Sequence, residues 1–258
     1  MALFQERKPF QQELLSYVDT YIQVSGKDAP SKYIPPHSGI SLVMDFNHHT
    51  RYNDARFKIT VIGHQGHPFY LYRPAHPVSD ALNIRFTAYG ISAFVKPHLD
   101  KINDLFVDAA DLFGPGIYQL YDILQPISRL DVRIQMIETF LLRRLKPPSS
   151  THKIIYHIAD TLRQDTAFPV LEMLKTTTSL SIRQVERNFR NLVGINMGQY
   201  RRMVRWEKAR SLLEQGLYKK LSDVAYEAGY YDQSHFIADF RAMLNITPKE
   251  YKSCTMSH

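Results

Sequence analysis

The apolar positions along the 258-residue chain change period twice. Between residues 10 and 24, Phe10, Leu14, Val18, Tyr21 and Ile22 recur at helical spacing, which predicts an amphipathic helix near the start. The runs 39–46, 57–63 and 68–72 are short, rich in β-branched or aromatic residues, and bounded by Pro, Gly and Asn-Asp, which predicts strands. Over 81–90 the alternation is strict: Leu82, Ile84, Phe86 and Ala88 face one way, and Asn83, Arg85 and Thr87 the other. That pattern suits a sheet with one wet face. Helical spacing returns at 117–126 and at 131–145, where Val132, Met136, Phe140 and Leu141 share a stripe. The first part of the chain therefore reads as a small, mainly antiparallel sheet with flanking helices.

A break falls at Lys146-Pro147-Pro148-Ser149-Ser150, where two prolines and two serines end one helical pattern before the next begins. Beyond it the pattern is helical throughout, with segments at 152–164, 170–177, 181–193, 197–215, 222–229, 232–244 and 247–252. The expected architecture is α+β, with a sheet domain over 1–148 and an all-α domain over 149–258. No glycine-rich phosphate loop, Cys/His metal spacing or nucleophile elbow interrupts the helices, so no catalytic residues, cofactor or enzyme activity are expected.

Composition changes the picture once it is located. The chain is 44% apolar, enough for a packed core, and carries a formal charge of +7. Residues 1–148 hold 16 basic and 14 acidic residues, against 16 and 11 in 149–258, so +5 of the charge lies on the shorter helical part. There Arg183, Arg187, Arg190, Arg201, Arg202, Arg205, Lys208 and Arg210 fall within 28 residues, opposed only by Glu186 and Glu207. Such a surplus suits an anionic partner. The single cysteine, Cys254, leaves no internal disulfide. The start MALFQERKPF lacks the apolar run of a signal peptide, and no stretch reaches the ~20 apolar residues of a bilayer crossing, so a cytoplasmic protein without a membrane partner is expected.

Two helix pairs in the basic part have the form of a helix-turn-helix, at about 170–194 and 222–244. In the second, Ser222 is the expected N-cap, Val224 and Ala228 are apolar i, i+4 neighbours, Ala225 is small, and Gly229 permits the sharp turn. Asp232 then caps a helix that buries Phe236, Ile237 and Phe240 and leaves Gln233, Ser234 and His235 at its N-terminal end, the end that enters a major groove in such motifs. In the first pair Ser181 caps a helix whose Val185, Phe189 and Leu192 are buried, turning Arg183, Glu186, Arg187 and Arg190 outward. Arginine suits that face because its fork matches guanine O6/N7 or a phosphate. Between the pairs, 197–215 reads as one helix of about 28 Å, able to hold two reading heads roughly one DNA turn apart.

The runs Ser181-Ile-Arg-Gln-Val-Glu-Arg-Asn-Phe-Arg190, Asp223-Val-Ala-Tyr-Glu-Ala-Gly-Tyr-Tyr-Asp-Gln-Ser-His-Phe-Ile-Ala-Asp-Phe-Arg241 and Ile246-Thr-Pro-Lys-Glu-Tyr251 resemble the DNA-binding domain of the AraC/XylS transcription regulators over about 152–252. The resemblance implies a sequence-specific regulator with base-facing positions at Arg183, Glu186 and Arg187 in the first unit and Gln233 and Ser234 in the second. Arg190 joins them as a DNA contact on the same helix face. Three departures stand out. Ala238 replaces a usual arginine, which removes a groove or phosphate contact. Lys175 and Ser179 stand where small residues are usual, and Asn245 where glycine is. Arg205 is expected in a structural ion pair, and His235 in packing or capping.

The first part also resembles sensor domains joined to this DNA-binding domain, at Tyr17-Val18…Tyr21, Ile34-Pro35-Pro36, Gly63 and Ile84-Arg85-Phe86. That implies a small-molecule effector pocket or a homodimer surface. Phe69, Tyr70, Tyr72 and Phe86 either line the pocket or fill the domain's core. Seven of the eleven histidines (His37, His48, His49, His64, His67, His76 and His98) lie here, without recurring ligand spacing, and are expected as solvated loop or strand-end residues rather than metal ligands. Expected partners are thus double-stranded DNA, a small-molecule effector and a second copy of the chain.

Overall fold

The computed structural model describes residues 2–27, 32–47, 51–52, 57–72, 78–96, 98–170, 172, 174, 180–216 and 218–255. Strands β1 (Ala2–Arg7), β2 (Val18–Lys27), β4 (Ser41–Asp45), β6 (Ile59–Ile62), β8 (Val78–Phe86) and β9 (Phe106–Asp108) form an antiparallel sheet in the order β1-β2-β8-β4-β6-β9. A second sheet has the order β3-β7-β5, from β3 (Lys32–Ile34), β7 (Phe69–Tyr72) and β5 (Arg51–Tyr52). The fold is α+β, as the alternating and helical patterns anticipate.

The helix expected over 10–24 is absent. Only one 3-10 turn forms, at Gln12–Leu14, and β2 follows. Val18, Thr20, Tyr21, Ile22 and Val24 are β-branched or aromatic, the types that fit a pleated, half-buried surface. β2 also finds hydrogen-bonding partners on both sides, β1 and β8, which no isolated helix would offer.

Register decides what each face of the large sheet meets. Leu42, Met44, Leu82, Ile84, Phe86 and Tyr21 pack into the main core beneath helices α1 (Ala109–Phe113), α2 (Gly116–Leu124) and α3 (Leu130–Leu142). On the opposite face Ser41 pairs with Arg85, and Val43 with Asn83. That face is not wet: it looks across a gap to Phe69, Leu71 and Tyr52 of the small sheet. Phe86 fills the core, while Tyr70 and Tyr72 are exposed.

Helix α3 also departs from expectation. Its buried stripe is Leu130, Ile134, Ile137 and Leu141, with Arg133 and Glu138 buried beside it, and Val132, Met136 and Phe140 are only half-buried. The two are tolerated because Arg133 is paired with a carboxylate and Glu138 is hydrogen-bonded. Arg133 forks onto Asp80 at 2.6 and 2.7 Å and lies 3.8 Å from the centre of the Phe46 ring. Glu138 accepts from the backbone N–H groups of Phe10 and Gln11.

Residues 143–149 lead from α3 into α4 (Ser150–Gln164). Then come α5 (Ile182–Val193), α6 (Met197–Gln215), α7 (Leu221–Ala228), α8 (Gln233–Leu244) and α9 (Pro248–Thr255). The main core runs unbroken from the sheet into these helices. Tyr89 stacks on Tyr156 of α4 at 3.9 Å and donates its hydroxyl to Asp160 at 2.9 Å. Of the helix expected at 170–177, residues 170, 172 and 174 are helical. The remainder, with Lys175 and Ser179, lies outside the described residues, as do His48, His49 and His76. No helix among the described residues is long and apolar enough to cross a membrane.

Candidate nucleic-acid interface

Each reading helix is held by its own local chemistry. At α5 the Ser181 hydroxyl accepts from the Gln184 N–H at 3.3 Å, while the Gln184 side chain accepts from the Ser181 N–H at 2.8 Å, a reciprocal cap. Val185, Phe189 and Leu192 are buried, as expected. Arg183, Glu186, Arg187 and Arg190 are exposed and border one shallow hollow with Asn196, Met197 and Gly198 from the start of α6. The three arginines stand at i, i+4 and i+7, along one face. Among the described residues no carboxylate lies within ion-pair distance of any of them, so their forks are free for a ligand.

At α8 the Asp232 carboxylate accepts from the His235 N–H at 2.7 Å, and Phe236 and Phe240 are buried. Gln233 and Ser234 are exposed at the helix start, and Ser234 borders a second hollow with Ile237, Ala238 and Arg241. His235 packs edge-on against Tyr230 at 5.3 Å. Gly229 takes a φ of +89°, and a Cβ there would stand 2.3 Å from the Thr166 hydroxyl, so the turn demands glycine on both counts. Asn245 closes α8 at a φ of +60°, the left-handed geometry asparagine tolerates best among non-glycine residues. The cap at α7 differs from expectation. The helix begins at Leu221, and the Asp223 carboxylate, rather than Ser222, accepts from the Lys220 N–H at 2.9 Å.

The basic cluster divides by role. Arg202 pairs with Asp239, which also accepts from the Tyr230 hydroxyl at 3.0 Å. Arg201 donates to the Phe168 carbonyl, and Arg210 pairs with Glu214 at 3.0 Å. Arg205 was expected in an ion pair, but its guanidinium instead faces the Tyr230 ring at 5.4 Å. Once Asp239 is engaged by Arg202 and Tyr230, the ring is the acceptor left to it. These four therefore build the bundle, whereas Arg183, Arg187, Arg190 and Lys208 face outward.

The C-terminal end of α5 is tied to the sheet domain, which no local sequence signal foretells. His64 lies 2.6 Å from the Val193 carbonyl, and since a carbonyl only accepts, its Nε2 carries the proton. Burial pushes the His64 pKa down to about 4, so the ring is neutral. Asn103 donates to the Gly194 carbonyl at 2.7 Å. One helix further, Ser38 donates both its N–H and its hydroxyl to Glu207 of α6, each at 2.6 Å. His64 is thus an interface residue, and His37 borders the gap between the two sheets, rather than the solvated histidines expected. Tyr231, 86% exposed beside the Asp232 cap, is a further surface residue of the second unit that the spacing gave no reason to single out.

Two capped helices, α5 and α8, are joined by α6, and the short α7 precedes α8 across the Gly229 turn, the form of a helix-turn-helix. Residues 174–253 match the family model described as "Helix-turn-helix domain". The HTH-type transcriptional activator RhaS of Escherichia coli is 32% identical over 74 residues, 29% of this chain and 26% of RhaS. The chain thus matches about a quarter of that relative's length. ToxT from Vibrio cholerae superposes at a TM-score of 0.50 over 98% of this chain and 97% of its own, at 11% identity, a likeness of fold. Over residues 174–253 the helical domain is thus similar to the helix-turn-helix domains of transcription activators, in line with the resemblance to AraC/XylS regulators.

Proposed function

We propose that the protein is a sequence-specific DNA-binding transcriptional regulator. In this reading residues 149–258 grip double-stranded DNA with two helix-turn-helix units, and residues 1–148 sense a small molecule. Arg183, Glu186, Arg187 and Arg190 read or anchor at the first unit, and Gln233 and Ser234 at the second. The observation that carries this is the row of unpaired, outward arginines on α5, whereas Arg201, Arg202 and Arg210 of α6 are engaged within the bundle. Backbone phosphates supply affinity to such a row, and guanine edges supply selectivity.

Selection of genomic fragments by the purified protein tests the reading. Enrichment of a shared sequence with two contacted segments about one helical turn apart is expected; recovery of unrelated fragments would refute sequence-specific recognition. On the selected fragment Arg187→Ala should weaken binding by about 1–3 kcal/mol, the worth of a bidentate base contact. Equal loss on random DNA would reassign Arg187 to a phosphate.

A further inference from the structure

We infer that the gap between the two sheets is a binding site for a compact organic carboxylate, with Arg85 holding its charged end. This deepens the proposed function and rests on its assignment of residues 1–148 to sensing. The gap is a cavity of about 170 Å³. Four polar groups line it in one neighbourhood: Ser41 and Arg85, which face each other across β4 and β8, Asn83 one pair further along, and His37 just before β4. In each, a fully buried atom has no hydrogen-bond partner: Ser41 Oγ, Arg85 Nε, Asn83 Oδ1 and His37 Nδ1. Among the described residues no carboxylate lies within ion-pair distance of Arg85.

One such orphan is unremarkable, but four converging on one cavity are costly for a fold to maintain without a ligand. A guanidinium turned inward between two sheets is costlier still. Burial and the neighbouring Arg85 hold the His37 pKa down to about 3, so the ring is neutral and Arg85 is the only cation of the four. The remaining wall is apolar, with Val43, Ile62, Phe69 and Leu71. This chemistry suits a ligand with one anionic end and one apolar end. A sugar would set hydroxyls against Phe69 and Leu71, and a cation would meet Arg85. Size sets a further limit, because an apolar cavity of about 150 Å³ takes up benzene. A molecule of about eight or nine non-hydrogen atoms therefore fits, and a long acyl chain does not. The site also abuts the helical domain, since Ser38, next to His37, is the residue that grips Glu207.

Thermal unfolding of the full chain without DNA tests this, with hexanoate, its uncharged isostere hexanamide, and oleate as probes. Hexanoate at a hundredfold excess over its Kd should raise Tm by about 5 °C or more, with little response to the other two. Arg85→Gln should abolish the hexanoate shift without lowering the Tm of the free protein, because it removes an uncompensated charge; a purely structural arginine would lower it. If the variant does not fold, the wild-type contrast decides. Equal shifts with hexanoate and hexanamide would overturn the anionic assignment. A larger shift with oleate would overturn the size limit. No shift with any probe at millimolar concentration would mean that the polar atoms hold only water, and would overturn the proposal. Because DNA is absent, these failures leave the DNA-binding reading untouched, and loss of that reading leaves the shifts in place.

Discussion

Helix α5 presents Arg183, Arg187 and Arg190 unpaired along one face, and its last carbonyls are held by His64 and Asn103 of the sheet domain. Helix α8 presents the uncharged Gln233 and Ser234, with Ala238 on its exposed side, and its hydrogen bonds among the described residues stay within the helical domain. The two share a construction: a capped start, two buried aromatic or aliphatic turns and a left-handed closing residue. What differs is charge and attachment. On the proposed reading the two motifs divide the work: α5 brings the charge, for phosphates and guanine edges, and is the one attached to the sheet domain, while α8 adds selectivity through neutral side chains alone.

The largest expected effect removes the charge on one side of this comparison. Replacing Arg183, Arg187 and Arg190 together by alanine should weaken binding to a selected fragment about a hundredfold or more, measured by fluorescence anisotropy. A loss no greater than that of Gln233→Ala would erase the distinction between the two helices. Next comes the attachment. Glu207→Ala leaves the Ser38 N–H and hydroxyl without their acceptor and should cost about 2–3 kcal/mol in urea unfolding, since hydrogen bonds to a charged group lie at the upper end of the range. An unchanged midpoint would show that the domains are not fastened there.

His64 should make that attachment sensitive to pH. Its pKa in the folded protein, about 4, lies below the ordinary 6.5, so between those values the unfolded chain binds the extra proton. The stability it contributes is thus complete above about pH 6.5 and falls as pH drops towards 4, by about 2 kcal/mol between pH 7 and pH 5. His64→Gln, which keeps a donor and does not titrate, should flatten that part of the profile; an unaltered slope would place the titration elsewhere. The smallest effect belongs to α8. Gln233→Ala should cost about 1 kcal/mol on the selected sequence and nothing on random DNA, and a loss on both would move Gln233 to the phosphate backbone.

The helical domain was legible because its signals are local. Ser181, Asp232, Gly229 and Asn245 act within a few residues of themselves, so caps, turns and reading faces follow from spacing alone. Even so, Ser222 does not cap α7: the helix starts one residue before it, and Asp223 accepts from the Lys220 N–H instead. The sheet domain depends on partners far along the chain. β2 mimics a helical stripe until β1 and β8 flank it, and Arg133 and Glu138 look like surface charges until Asp80 and the N–H groups of Phe10 and Gln11 meet them. His64 and Val193 are 129 residues apart, and Ser38 and Glu207 are 169 apart, so neither contact leaves a mark in either neighbourhood. The alternation at Asn83 and Arg85 predicts a wet face, and nothing near these residues shows that the second sheet covers it and makes it the wall of a cavity.

The division of labour between the helices is tested most directly by the salt dependence of binding to one selected DNA fragment, for the wild type, the triple α5 variant and Gln233→Ala. Each phosphate contact contributes about 0.9 to the slope of log K against log salt. The account predicts a steep wild-type slope, a fall of about one to three units in the α5 variant, and no change in Gln233→Ala. A wild-type slope near zero, or a slope that the α5 variant leaves unaltered, would contradict it.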